Sequence, residues 1–275
     1  MQYDPIKKSL GKVFNQAPFL RIFFYKLLDL LLLRSWHIRK EIRKWSKKVA
    51  SDIRVLDAGS GFGQYVYYLS SKNKGWHITG VDVKEEQVKD CNEFFSRIKR
   101  QDRVQFQYGD LTKLSVEGGY DLVVSVDVME HIEDDEGVLK NLYQTMNPGG
   151  MIIISTPSDQ GGSDAHHHEA EHDDGVTGFI DEHVRDGYNL QEIIQKLKKA
   201  GFKDVDARYS YGWPGKISWK LSMKYPIVML NATKVFFILL PFYYLITFPF
   251  SFVLNIMDVR GNHKKGTGLI VKAFK

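Results

Sequence analysis

Val55-Leu56-Asp57-Ala58-Gly59-Ser60-Gly61-Phe62-Gly63 reads as a short buried strand that runs directly into a glycine-rich turn. Glycine carries no Cβ, so the backbone can turn tightly here and a ligand can come close to it. The spacing is Gly-x-Gly-x-Gly. A dinucleotide fingerprint requires Gly-x-Gly-x-x-Gly, and Gln64 occupies its last glycine position. The turn therefore points to a nucleotide-like ligand rather than to a pyrophosphate.

The next apolar run, His77-Ile78-Thr79-Gly80-Val81, ends at Asp82, 19 residues after Gly63. A carboxylate at the tip of a second strand can accept both hydroxyls of a ribose. Three further elements follow in order: Gly109-Asp110-Leu111, Tyr120-Asp121-Leu122-Val123-Val124, and Asn147-Pro148-Gly149-Gly150. Together with Asp57-x-Gly59-x-Gly61-x-Gly63 and Asp82, they resemble the class I S-adenosylmethionine (SAM) methyltransferases over residues 51–212 and the last strand. The resemblance implies a Rossmann-like, doubly wound α/β fold. Its sheet would have seven mostly parallel strands, the last antiparallel.

Alternating periodicity places strands near 53–57, 77–82, 104–108, 120–126, 150–156, 204–210 and 267–274, and helices near 64–72, 85–100, 135–145 and 189–200. Ligands of such sheets lie beyond the carboxyl ends of the strands. Asp57, Gly59, Gly61, Gly63, Asp82, Asp110 and Asp127 thus gather around one crevice. By resemblance, Gly59 and Gly61 face the methionine part of SAM, Asp82 the ribose and Asp110 the adenine amino group, with Asp127 near the donor methyl. Two of these residues also have plainer readings: Asp110 could terminate a strand, and Asp127 could cap the following turn.

Methyl transfer from a sulfonium requires alignment of a nucleophile and exclusion of water. No metal is needed, although a hydroxyl acceptor benefits from a general base. Met129-Glu130-His131 resembles the quinone and small-molecule branch of the superfamily. A histidine's unperturbed pKa lies near neutrality, so His131 is a candidate base, or else it bonds a loop carbonyl. His183-Val184-Arg185 is similar to the family's His-x-Arg element near the acceptor, which adds His183 and Tyr188 as catalytic candidates. His166-His167-His168 and His172 stand among acidic residues, but adjacent histidines do not preorganise a tetrahedral metal site. A polar lid over the crevice suits that segment better.

The net charge of +5 hides a division. Residues 1–50 carry net +9, residues 51–212 net −12, residues 213–265 net +6 and the last ten +2. The chain accordingly divides into N-terminal basic helices (1–50), a donor-binding core (51–212), an apolar helical insertion (213–265) and the final strand of the core (266–275). Each basic segment adjoins an apolar run, which favours an anionic membrane surface over nucleic acid. The segment Val126-Asp127-Val128-Met129 also lacks the Asn/Asp-Pro-Pro-aromatic element of amino-directed base methylases.

Residues 19–33 form an amphipathic apolar segment whose charges, Arg21, Lys26 and Asp29, share a sector of about 140°. Residues 34–48 add seven basic side chains, Trp36 and Trp45, an interfacial pattern; the plainer alternative is a helix covering the sheet. Residues 235–257 contain 23 residues without a charge. As a helix this would reach about 34 Å, one bilayer crossing. The strands before and after it are expected to belong to one sheet, which disfavours a single crossing. Pro241 and Pro249 are expected to kink or break it. A monotopic or re-entrant element dipping into one leaflet is expected, with a two-pass hairpin or a buried dimer element as alternatives.

The single cysteine, Cys91, excludes an intrachain disulfide and suits a reducing compartment. No signal-peptide pattern opens the chain, so the cytoplasmic face of a membrane is the expected location. These features add up to a membrane-associated SAM methyltransferase with a lipid, polyprenyl or quinone-like acceptor. A methyltransferase of a soluble small molecule and a noncatalytic SAM-binding scaffold are the alternatives. Oligomeric state and the acceptor atom are not set by the sequence.

Overall fold

The computed structural model describes residues 17–114, 117–161, 184–233 and 235–275. Two helices, α1 (Pro18–Leu31) and α2 (Leu33–Trp45), precede the alternating core. The core runs β1 (Ile53–Ala58), α3 (Gln64–Lys72), β2 (Trp76–Asp82), α4 (Glu85–Arg97), β3 (Val104–Tyr108), β4 (Tyr120–Val126), α5 (Asp135–Thr145), β5 (Met146–Pro157), α6 (Leu190–Ala200) and β6 (Lys203–Ser210), and closes with β7 (Gly268–Phe274). The sheet order is β3-β2-β1-β4-β5-β7-β6. Strands β1 to β5 pair in parallel, and β7 is antiparallel to both β5 and β6. The seven-stranded Rossmann-like architecture agrees with the expectation from sequence.

The near-continuous apolar strands follow from burial on both faces. Val55, Leu122, Val124, Ile153 and Ile270 join one core, with Ile38, Ile42 and Trp45 of α2 and Phe94 and Phe95 of α4. Their neighbours along the strands, Leu56, Val123, Ile152, Ile154 and Leu269, point to the other core, under α5 and α6. The apolar face of α2 therefore covers the sheet, as in the plainer reading of that segment. On α1, Phe19 and Phe23 remain exposed while Tyr25 is buried.

Between β6 and β7 the chain makes a helical hairpin. One arm comprises α7 (Trp213–Trp219), a π-helical turn (Lys220–Lys224) and α8 (Tyr225–Ala232), and α9 (Phe236–Arg260) returns. The pairing is antiparallel: Gly215 N–H donates to Asp258, the Ser218 hydroxyl meets Asn255 at 2.7 Å, and the hydroxyls of Tyr243 and Tyr244 donate to the carbonyls of Leu221 and Ser222, both at 2.7 Å. Contrary to expectation, α9 runs unbroken through Pro241 and Pro249. Each proline deletes one N–H while the flanking turns keep theirs, and the two tyrosine clasps hold the intervening turn against the first arm.

Burial on α9 is confined to its C-terminal part, at Ser251, Asn255 and Asp258. Asp258 is fully buried and accepts from His37 Nε2 at 2.9 Å, Gly215 N at 3.1 Å and Tyr211 N at 3.2 Å. Burial outweighs this ion pair and lowers the His37 pKa. Lys40 caps the end of the helix by donating to the Val259 carbonyl. The base of the hairpin is thus fixed to α2. Further out, Phe237, Ile238, Phe242, Leu245, Ile246 and Phe250 stand exposed.

Candidate active site

Strand order reverses between β1 and β4, each of which leads to a connection on a different side of the sheet. That switch point opens a crevice at the carboxyl ends of the strands. The glycine turn forms its floor. Gly59 has φ +86°, and a Cβ there would sit 2.2 Å from Val128 Cγ2, just after β4. Only glycine permits this approach. Gly61 and Gly63 also have positive φ, and Gly63 leads into α3.

Asp82 ends β2 beside this turn. Its Oδ2 accepts from Gly61 N at 2.8 Å and its Oδ1 from Lys84 N at 2.9 Å. Both oxygens keep a lone pair for further donors. Asp57, at the end of β1, is fully buried, and its Oδ2 has no hydrogen-bond partner among the described residues. Burial, with the nearby Asp82 charge adding, pushes its carboxyl up to about 8. Asp110 is exposed beyond β3, and its carboxylate accepts from Thr112 N at 2.9 Å, which lowers its pKa. This bond caps the start of a short 3-10 turn, Leu111–Lys113, two residues after β3 ends. The donor set is chemically compatible with the nucleoside sulfonium implied by the sequence: two Asp82 oxygens with lone pairs to spare, a buried Asp57 oxygen without a partner among the described residues, and the exposed Asp110 carboxylate.

Asp127 holds a left-handed backbone, φ +53°, directly after β4. Its N–H donates to Ser155 O at 2.8 Å, and its carboxylate pairs with Arg34 of α2 at 2.7 Å. The side chain therefore serves an ion pair rather than capping the turn. Tyr211, also left-handed at φ +54°, accepts on its hydroxyl from Arg34 N at 3.1 Å. Two strained non-glycine residues thus meet one arginine at the crevice. Glu130 lies behind Asp127, buried, with the Thr156 hydroxyl donating to it at 3.1 Å. Burial and then the charge of Asp127 raise its pKa.

The N-terminal helices roof the turn. Arg21 bonds the Phe62 carbonyl at 2.8 Å and Asp90 at 2.6 Å, the Tyr25 hydroxyl donates to the same carbonyl, and Gln64 donates to Asp29 at 2.9 Å. Sequence reading placed none of Arg21, Arg34, Glu130 and Tyr211 in the site. The partners of Arg34 lie 93 and 177 positions away, and no spacing motif joins them.

His131 is half-buried in the 3-10 turn Met129–His131 that follows β4. His183 lies outside the described residues, as does the segment with His166, His167, His168 and His172. The residues after His183 are seated on the His131 turn: Val184 N donates to Glu130 O at 3.1 Å, and Arg185 to Ile132 O at 2.6 Å and to Asp135. Tyr188 lies beneath the same turn. It is fully buried, and its hydroxyl donates to Asp135 at 2.7 Å and approaches the Met129 carbonyl at 3.1 Å. Burial and the Asp135 contact raise its pKa strongly, and both contacts tie the phenol to the loop after β4.

The profile of the methyltransferase domain family matches residues 50–206, which omits α1, α2 and the hairpin. Phosphoethanolamine N-methyltransferase of Triticum aestivum is 28% identical over 155 residues, covering 56% of this chain and 28% of the relative. Erythromycin 3''-O-methyltransferase of Saccharopolyspora erythraea is 30% identical over 160 residues, covering 56% of this chain and 52% of the relative. The chain thus spans from about a quarter to half the length of these curated relatives. Among solved structures, phosphoethanolamine N-methyltransferase 2 of Haemonchus contortus superposes with a TM-score of 0.59 at 21% identity, covering 87% of this chain and 52% of that one. At that identity the likeness speaks to the fold.

Proposed function

The chain belongs to the methyltransferase domain family, and from that premise we propose that it transfers the methyl group of SAM to a lipid, polyprenyl or quinone-like acceptor at the cytoplasmic face of a membrane. The observation that carries the acceptor class is the exposed apolar surface of α9. It is long and apolar enough to cross a membrane, yet only 6% of its most apolar stretch is buried. A core helix would be covered. An apolar surface of this size on a soluble chain marks a partner, and the adjoining basic segments favour an anionic bilayer. The hairpin leaves β6 and returns to β7 in the same sheet, so it dips into one leaflet and brings the crevice to the surface.

SAM supplies an activated methyl group when bound. In this reading Gly59, Gly61, Gly63 and Asp57 take its methionine part, Asp82 its ribose and Asp110 its adenine amine. Arg34 and Asp127 fix the region next to the methyl, under the roof of α1 and α2. His131, in the turn after β4, is the candidate to receive a proton from the nucleophile, and His183 is a second candidate on the sequence motif alone. The names of the relatives include N- and O-methyltransferases, so they support the reaction type and leave the acceptor to the hairpin argument.

Incubation with radiolabelled SAM and a total membrane lipid extract, followed by chromatography, tests the reading. Label in the organic phase is expected. Label confined to water-soluble products overturns the acceptor class, and absence of SAM binding by calorimetry overturns the donor.

A further inference from the structure

Between α1 and α2 opens a cavity of about 270 Å³, lined by Lys26, Asp29, Leu30, Trp36, Arg39 and Arg43. It lies outside the crevice. Lys26, Asp29 and Leu30 share one face of α1, and Trp36, Arg39 and Arg43 share one face of α2, by the i, i+3, i+4, i+7 spacing. Three cations and one carboxylate therefore line the same cavity.

That carboxylate is already engaged. Asp29 Oδ2 pairs with Arg39 at 3.2 Å and Oδ1 accepts from Gln64 at 2.9 Å. Among the described residues, neither Lys26 nor Arg43 forms an ion pair, and the Arg43 Nε donates only to the Arg39 carbonyl of its own helix, at 3.1 Å. Arg43, Lys47 and Arg39 also crowd Lys72 of α3, whose pKa is lowered by burial and then by these like charges. A protein that clusters cations without matching acids has room for an anion.

The position gives the anion its source. Trp36 donates to the Leu30 carbonyl at 3.0 Å, and its ring meets Phe252 of α9 edge-on, centroids 5.2 Å apart. The wall of the cavity is therefore continuous with the base of the apolar hairpin, and Leu30 and Phe252 are exposed beside it. A tryptophan flanked by arginines at the foot of an apolar surface is the arrangement that meets a bilayer at headgroup level. Arginine forks donate paired N–H groups to phosphate oxygens in a bidentate way.

We propose that this cavity binds the phosphate headgroup of an anionic bilayer lipid, seated by Lys26, Arg39 and Arg43 against Trp36, while α9 occupies the adjoining leaflet. This rests on the bilayer reading above. The headgroup competes with Asp29 for Arg39. Because Asp29 also holds Gln64, the first residue after the glycine turn, the headgroup site borders the wall of the donor crevice.

Vesicle co-sedimentation of the full chain tests it. Vesicles of phosphatidylcholine alone, with phosphatidic acid, or with oleate of equal negative charge separate phosphate recognition from surface charge. Phosphatidic acid vesicles are expected to bind more tightly than oleate vesicles. Arg39→Ala with Arg43→Ala should weaken binding to phosphatidic acid about 25-fold, from roughly fivefold per cation lost at a membrane surface. Lys44→Ala with Lys48→Ala removes the same charge outside the cavity and should cost no more than about fivefold. Equal binding to the two anionic vesicles, or equal losses in the two double variants, overturns the site while leaving membrane docking intact. Should the chain bind no vesicle, dihexanoyl phosphatidic acid below its micellar concentration is titrated by calorimetry. Binding lost in the Arg39/Arg43 variant then sustains the site and removes the bilayer reading, and no binding overturns both. Inorganic phosphate binding as tightly as the short-chain lipid assigns the cavity to free phosphate and overturns the lipid source.

Discussion

Arg34 of α2 holds Asp127 at the end of β4 at a distance of 2.7 Å, joining the helical roof to the switch point of the sheet. Both side chains remain about one-third exposed, so the pair adds little stability, about 1 kcal/mol or less. Its value lies in position. Arg34→Ala is expected to lower kcat/KM by about 100-fold, the order seen when a reacting group is slightly misplaced, with melting temperature nearly unchanged. Arg34→Lys should recover part of the loss, because it restores the charge without the planar fork. Steady-state kinetics with labelled SAM measure this. A loss of activity matched by a loss of folded protein would assign Arg34 to stability instead.

Asp82 is expected to set affinity for the donor. Its two oxygens already order Gly61 and Lys84, and each has a lone pair left for a ribose hydroxyl. Asp82→Asn turns one acceptor into a donor and should weaken SAM binding about 10- to 100-fold, from the loss of charge-assisted hydrogen bonds. Calorimetry reads the dissociation constant directly. An unchanged constant places the ribose elsewhere.

Asp57 makes stability depend on pH. Its carboxyl is pushed up to about 8 by burial and by Asp82, against about 3.9 in an unfolded chain. Between those values the native state holds a proton that the unfolded chain has released. The contribution of Asp57 to stability is therefore fully present below about pH 4 and declines as pH rises to about 8. Asp57→Asn removes this decline and should be more stable than the parent by about 1–3 kcal/mol at pH near 8, a discounted share of the full linkage. Urea midpoints at about pH 5 and about pH 8.5 decide it. Parallel decline in both proteins would mean that Asp57 is ionised in the native state.

The parts of the molecule legible in the sequence are those encoded locally. The run Val55–Gly63 contains a strand, its end and its turn in nine residues, and Asp82 closes the next unit in the same way. Helix caps are equally local: Asn189 accepts from Gln191 N at 2.9 Å where α6 begins. The pairs that tie α2 to the sheet and to the hairpin are different. Arg34–Asp127 and His37–Asp258 join positions 93 and 221 residues apart, and each residue alone looks like an ordinary surface charge. Tyr188 shows the converse. It stands next to a motif-like His-x-Arg, yet its polar end is consumed by Asp135, a contact visible only once α5 is placed.

Tyr188→Phe separates bracing from catalysis. The variant keeps the ring and loses the hydroxyl that Asp135 and the Met129 carbonyl share, while Asp135 retains Lys196 at 2.7 Å and Arg185. Stability should fall by about 1–2 kcal/mol, the cost of one buried hydrogen bond. Turnover per folded molecule should stay within about threefold of the parent, a barrier change under about 1 kcal/mol. A drop of several hundredfold in kcat at unchanged stability would restore Tyr188 to the chemistry.

Gly215 and Asp258 decide whether the hairpin is held to the core. A Cβ at position 215 would lie 2.5 Å from Asp258 Oδ2 and 2.7 Å from Leu33 Cδ2. Gly215→Ala must therefore part α7 from α9 or push α9 off α2. Asp258→Ala removes the acceptor of three donors and leaves His37 Nε2, Tyr211 N and Gly215 N buried without it. Its cost should reach about 3 kcal/mol, as for a broken buried network. Because the hairpin meets the core mainly at this base, the loss should be local first. Limited trypsin digestion is expected to cut at Lys216, Lys220 and Lys224 in both variants well before SAM binding is lost. Simultaneous loss of the core and the hairpin would show that the two unfold as one unit.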